Sequence, residues 1–156
     1  MWIGAPRQTH RDLLLHAVLS WICAGHIITG LAALVSGKRA IRLGATLYRA
    51  NFSPSKQFEV IVRPLGAYIL ALAFLQARAL REPERYAAVL DATLLVFALR
   101  QIERALYASD VQDAFGIPPE AHARTTWYFR ALAAALLFAR LRPRSGYGAF
   151  ARGRFR

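Results

Sequence analysis

Charge is scarce in this chain, and acid is scarcer still. Of its 156 residues 19% are charged, with 9 Asp+Glu against 21 Lys+Arg. A soluble domain carries about 25% charged and about 45–50% apolar residues, whereas 56% are hydrophobic here. So little polarity excludes water as the solvent on every side, and so much apolar sequence excludes disorder over most of the length. The shortage of acid leaves a formal net charge of +12. Cysteine is nearly absent as well. Cys23 stands alone in an apolar stretch, so the chain forms no disulfide of its own and no thiolate metal cluster.

Chemistry motifs are missing too. No P-loop, dinucleotide fingerprint, nucleophile elbow or His-Glu-x-x-His pattern occurs. Ser20, Ser36, Ser53 and Ser109 lack the neighbouring histidine and carboxylate of a triad. The histidines are His10, His16, His26 and His122. His16 and His26 share one helical stretch ten residues apart, which separates them by about 15 Å along the axis and about 80° in angle. They cannot ligate one metal, and a bis-histidine haem held by this chain alone is not expected. The expectation is a non-enzyme with no catalytic, cofactor-binding or metal-binding residues.

What the chain does have is apolar length. Its size allows one domain and about four bilayer-crossing helices. The stretch 13–37 is 25 residues without Asp, Glu, Lys or Arg. That exceeds the about 7–15 residues of a signal-peptide core, so it reads as a retained membrane span. The fold class expected is all-α, a four-transmembrane-helix bundle with short loops and a basic C-terminal tail. The helices fall at about 11–36, 54–80, 83–107 and 119–142, forming a membrane domain over 1–142 with a basic aromatic tail over 143–156.

Local signals punctuate these spans. Thr9 and Asp12 have capping-box spacing, and Gly37 followed by Lys38 and Arg39 reads as a stop. Ser53-Pro54 opens the second helix, Pro83 the third and Pro118-Pro119-Glu120 the fourth. Residues 40–52 read as an interfacial turn or a short amphipathic helix. Alanines four apart, Ala67 and Ala71 and then Ala131, Ala135 and Ala139, read as rows for close helix packing.

Charged residues inside the spans cost at least about 2.5–3.5 kcal/mol near the bilayer centre, so they belong at a bundle interior, a partner or the membrane boundary. With helices alternating in direction, Arg63, Arg100, Glu103, Arg104 and Arg130 fall at similar depth on one side, here side B, with Glu103 their one acid. Asp91, the intramembrane acid, falls toward the opposite side A, nearer His16, Arg140 and Arg142. Snorkelling arginines, a charge-paired packing site, and a proton path or catalytic site each fit this pattern. Arg63, Arg100, Glu103, Arg104, Arg130, Arg140, Arg142 and Arg144 are the candidate lipid- or partner-binding residues, with cardiolipin or another anionic phospholipid as the expected ligand. In the tail, Arg144, Arg152, Arg154 and Arg156 alternate with Tyr147, Phe150 and Phe155. On a membrane protein this composition suits anionic headgroups or a partner protein better than nucleic acid. Of the Lys and Arg residues, 11 fall on side A and 10 on side B, which favours side A facing cytoplasm or matrix.

The run Arg63-Pro64-Leu65-Gly66-Ala67-Tyr68, then Glu82-Pro83, then Glu103 twenty residues after that proline, resembles the ergosterol-biosynthesis scaffold family over about residues 47–107. The resemblance implies a small four-span protein that tethers sterol-modifying enzymes in the endoplasmic reticulum. The chain departs from that family at Pro64, where the family has threonine, and at Leu99, where it has histidine. The layout is also similar to small DoxX-like bacterial membrane proteins. The combined expectation is a non-catalytic accessory subunit or scaffold of a large membrane complex, a respiratory-chain complex or ATP synthase of the mitochondrial inner membrane being favoured. The alternatives are an endoplasmic-reticulum scaffold and a small membrane enzyme or transporter using Asp91 and Glu103, with a bacterial inner membrane as a further location.

Overall fold

The computed structural model describes residues 10–141, with side chains described from residue 13. Among these residues the chain is all-helical: α1 (His10–Val35), α2 (Gly37–Tyr48), α3 (Lys56–Arg81), α4 (Ala87–Leu106), α5 (Ala108–Phe115) and α6 (Pro119–Leu141). The tail 143–156, with Thr9, Arg142 and Arg144, lies outside the described residues. The four long helices pack in the ring order α1, α3, α4, α6, with α6 returning to α1. At 1.5 Å per residue, the 26 residues of α1 or α3 span about 39 Å and the 20 residues of α4 about 30 Å. Of the four, α1 and α3 are apolar enough to be candidate membrane spans. Asp91, Arg100, Glu103 and Arg104 interrupt α4, and Glu120, Arg124, Arg130 and Arg140 interrupt α6.

The expected helix boundaries shift where side chains choose a different cap. Gly37 does not stop the first helix by itself. Ser36 takes an extended conformation and its Oγ accepts a hydrogen bond from the Arg39 N–H at 3.4 Å, so one residue separates α1 from α2. The amphipathic helix α2 exposes Lys38, Arg39 and Arg42 and buries Gly37 and Ile41. The cap of α3 is Ser55 rather than Ser53, its Oγ accepting from the Phe58 N–H at 3.2 Å. Pro83 opens no helix, because it sits in the turn between α3 and α4, and α4 starts at Ala87. Glu82, the residue before it, ends α3 in a conformation outside the helical region (φ −135°, ψ 70°), as expected of a residue preceding proline.

The short helix α5 has no counterpart in the sequence reading. It ends at Gly116, which has φ 56°. That left-handed conformation suits glycine, and an added Cβ would also lie 2.6 Å from the Asn51 carbonyl oxygen. The Asn51 N–H in turn donates to the Phe115 carbonyl at 3.0 Å. Phe52, Phe58 and Phe115 stack edge-on and tilted around this junction, with centroids 5.0–6.2 Å apart. Thus α2, α5 and the 49–55 loop close the side-B end of the ring, while a short turn over 82–86 links α3 to α4 at side A.

The tightest packing joins α1 to α3. Gly30 and Gly66 meet through their backbones: a Cβ on Gly66 would lie 2.7 Å from the Ala33 Cβ and 2.8 Å from the Gly30 oxygen. A Cβ on Gly37 would lie 2.1 Å from the Glu59 oxygen. The buried row of α3 is therefore Gly66, Ala73, Gln76 and Ala79. Ala67 and Ala71, expected to form that row, are exposed. On α6, Ala139 is buried, Ala135 half-buried and Ala131 exposed. The remaining apolar core lies toward side A, where Leu15, Leu19, Ile22, Ala79, Leu90, Phe97, Leu136 and Ala139 form one cluster. Gly66→Leu should lose about 1–3 kcal/mol of stability by overpacking, whereas Ala67→Leu one residue along should stay within about 0.5 kcal/mol. Comparing the unfolding midpoints of the two purified variants checks this, and equal midpoints would refute the backbone contact.

Candidate functional site

Two polar assemblies stand out. The first is a chain through the middle of the ring. Gln76, fully buried on α3, accepts from the His26 imidazole (Nδ1 to Oε1, 2.9 Å) and donates to Thr93 Oγ1 at 3.1 Å. Thr93 completes it by donating to the Val89 carbonyl at 2.8 Å. Three helices, α1, α3 and α4, are joined by side chains that would otherwise be unsatisfied polar groups inside the ring. Cys23, one turn before His26, directs its thiol at the Ala73 carbonyl (3.4 Å). Gln76 and Thr93 were not singled out from sequence. The available signal was an uncharged polar residue inside the apolar run Ala71-Leu72-Ala73-Phe74-Leu75-Gln76.

The second assembly is a cleft of about 200 Å³ between α4 and α6, lined by Arg104, His122, Thr126, Trp127, Arg130 and two alanines. Arg104 donates to Tyr48 Oη at 2.5 Å and to Thr126 Oγ1 at 3.3 Å. Its guanidinium also lies 5.3 Å from the Tyr48 ring centre and 5.0 Å from that of Phe129. Such cation–π contacts are worth about 0.5–1 kcal/mol each when exposed and about 2 when desolvated. Arg104 thereby ties α2, α4 and α6 together. Arg130 stacks 5.1 Å over Trp127 and donates from Nε to Gln101 Oε1 at 3.2 Å.

The expected side-B grouping is partly dispersed. Arg104 and Arg130 share the cleft, while Arg63, Arg100 and Glu103 are exposed. Among the described residues the ion pairs are Arg85–Glu82 at 3.2 Å and Arg140–Asp91 at 3.1 Å, so Glu103 does not serve as the acid for these arginines. Asp91 receives both Nε and Nη2 of Arg140, at 3.1 and 3.4 Å. At the side-A turn Tyr86 lies between two further guanidiniums, Arg78 at 5.8 Å and Arg85 at 5.7 Å from its ring centre. Among the described residues, arginine is held by aromatic faces and neutral oxygens more often than by carboxylates.

No three His, Cys, Asp or Glu side chains converge on a metal-sized site among the described residues. Comparison with protein-family models, with curated proteins and with solved structures found no match to this chain. Gln76→Leu should destabilise the protein by about 1–3 kcal/mol, because it leaves His26 without its acceptor. Adding His26→Phe should recover part of that loss, since the orphaned group is then gone. Unfolding titrations of the single and double variants measure both effects. Q76L as stable as the unmodified protein would mean that the polar chain contributes nothing.

Proposed function

We propose that this chain is a four-span, non-catalytic accessory subunit or scaffold of a larger membrane complex. The observation that carries the reading is the distribution of polarity, apolar outside with a polar chain within. Large apolar side chains lie exposed along every long helix: Trp21, Ile28 and Val35 on α1, Ile61, Tyr68 and Phe74 on α3, Leu95 and Leu106 on α4, Trp127, Phe138 and Leu141 on α6. In the most apolar window of α3 only 11% is buried within the structure. A core helix of a soluble protein would be mostly buried there, so an apolar medium or partner suits this surface better. The lengths of α4 and α6 suit crossing as well, and their charges have local support: Asp91 in Arg140, Arg104 in two rings and two hydroxyls, Arg130 in Trp127 and Gln101.

The scaffold part of the reading rests on the charges without such support. Arg63 and Arg100 are exposed about two turns inside the ends of α3 and α4, and no carboxylate lies within 4 Å of either arginine among the described residues. Exposed charge at that depth is costly against lipid alone. Protein neighbours carrying complementary groups would remove the cost. The combination favours a chain that lives among other subunits.

Two measurements test this. In sealed vesicles carrying Cys23→Ala, a thiol at Ser53→Cys and one at Arg85→Cys should react with an impermeant reagent from opposite faces. Reaction of both from the same face would end the four-span reading. Extracted gently from its native membrane, the chain should travel with other proteins in a large particle. A lone small particle would overturn the subunit reading, and the identity of co-purifying proteins would separate a respiratory assembly from a lipid-enzyme scaffold.

A further inference from the structure

We propose that the cleft between α4 and α6 binds the phosphate of an anionic phospholipid headgroup. The inference rests on the membrane reading above, because it requires the ends of α4 and α6 to lie at a membrane boundary. It begins from an electrostatic peculiarity. Two guanidiniums, Arg104 and Arg130, line one cleft, and no carboxylate lies within 4 Å of either among the described residues. Like charges brought together repel unless something compensates them. The groups that hold them here, the rings of Tyr48, Phe129 and Trp127, the Tyr48 and Thr126 hydroxyls and the Gln101 carbonyl, are neutral. They fix the direction of each arginine and leave its positive charge for something else.

The spare hydrogen-bonding capacity points the same way. His122 lines the cleft, and its Nε2 is buried with no hydrogen-bond partner among the described residues. Gln101, whose oxygen is taken by Arg130, has its buried Nε2 unpartnered beside the cleft. Buried polar atoms are nearly always satisfied in folded proteins, so an orphan implies a missing partner. The guanidinium pair donates, as does the Gln101 amide beside it and the His122 imidazole in its Nε2–H tautomer. Their complement is a group rich in acceptor oxygen and negatively charged, as a phosphate diester is.

Position selects the lipid over a free anion. Arg104 stands two residues before the end of α4, and His122 belongs to the first turn of α6. Exposed Trp127 lines the cleft as well, and indole rings favour the membrane interface. Elsewhere on the same turns of α4, Ile102 and Leu106 are 55% and 67% exposed. These apolar side chains give acyl chains a surface, which inorganic phosphate does not need. A cleft of about 200 Å³ takes a phosphate and the adjoining glycerol carbons and leaves the chains outside against α4.

The test uses the full chain in uncharged detergent, with phosphatidylglycerol, phosphatidylcholine and inorganic phosphate as probes, read by native mass spectrometry and by the thermal midpoint. Phosphatidylglycerol should bind about tenfold more tightly than phosphatidylcholine, because the latter carries the same phosphate beside a quaternary ammonium that the two guanidiniums repel. Arg130→Gln should reduce that preference to about twofold. Arg81→Gln, at the other end of the bundle, should leave it intact. His122→Leu offers a second variant that spares both arginines and should also weaken the preference. Equal binding of the two lipids, or an unchanged preference in both cleft variants, would overturn the proposal. Inorganic phosphate raising the midpoint as much as phosphatidylglycerol would overturn the lipid assignment in favour of a free anion. Loss of lipid selectivity in a chain that still needs detergent would defeat this proposal alone, whereas a chain that stays in solution without detergent would defeat the membrane reading beneath it.

Discussion

The backbone contact between α1 and α3 fixes the geometry on which the other helices depend. Gly30 and Gly66 carry no side chain at the crossing, so the two helices approach until the Gly66 position faces the Gly30 carbonyl and the Leu34 amide nitrogen. In a membrane, where burying apolar surface between helices gains little over leaving it in lipid, close packing of small residues is a principal source of helix affinity. The same approach sets Gly37 against the Glu59 carbonyl, which holds the start of α2 against α3. It also places His26 within reach of Gln76, and through Gln76 draws Thr93 of α4 into the ring. A wider α1–α3 pair would strand Gln76 with unsatisfied polar atoms.

A second constraint follows from the shortage of acid. Twenty-one basic residues cannot be matched by nine acidic ones, so guanidiniums find other hosts. Tyr48 and Phe129 hold Arg104, Trp127 holds Arg130, and Tyr86 serves Arg78 and Arg85 together. An aromatic face attracts a cation without cancelling its charge. The molecule can thus anchor arginines firmly while its surface potential stays strongly positive, a combination that carboxylate pairing would not give.

The all-helical class and the four long helices were legible because they depend on residue content: uninterrupted apolar runs, with prolines near their limits. Finer features depended on which of two nearby residues wins a local competition. Ser55 displaces Ser53 as the cap of α3 because its Oγ meets the Phe58 N–H. Gly37 looked like a helix stop and is a contact point, since its missing side chain serves a neighbour on α3. Helix α5 has eight residues and takes support from the Asn51–Phe115 hydrogen bond and the phenylalanine cluster, neither of which a local pattern reveals. The membership of Arg104 and Arg130 in one site followed from helix direction. Their partners did not: Glu103 is the acid next to Arg104 in sequence, but Arg104 turns to Tyr48 and Phe129 on other helices and Arg130 to Trp127, one turn back on α6.

The chain runs long, short, long, and then long, short, long again: α1, α2, α3, followed by α4, α5, α6. Each half is a hairpin whose short helix sits at the same end of the molecule, and the turn over residues 82–86 joins them at the other. A ribosome would deliver the glycine-paired hairpin first, with both candidate membrane spans, α1 and α3, in it. On the membrane reading proposed above, the second hairpin would then meet a partner already in place, with Thr93 on α4 arriving opposite the waiting amide of Gln76. The order of the halves along the chain would thus bring the more apolar pair to the membrane ahead of α4 and α6.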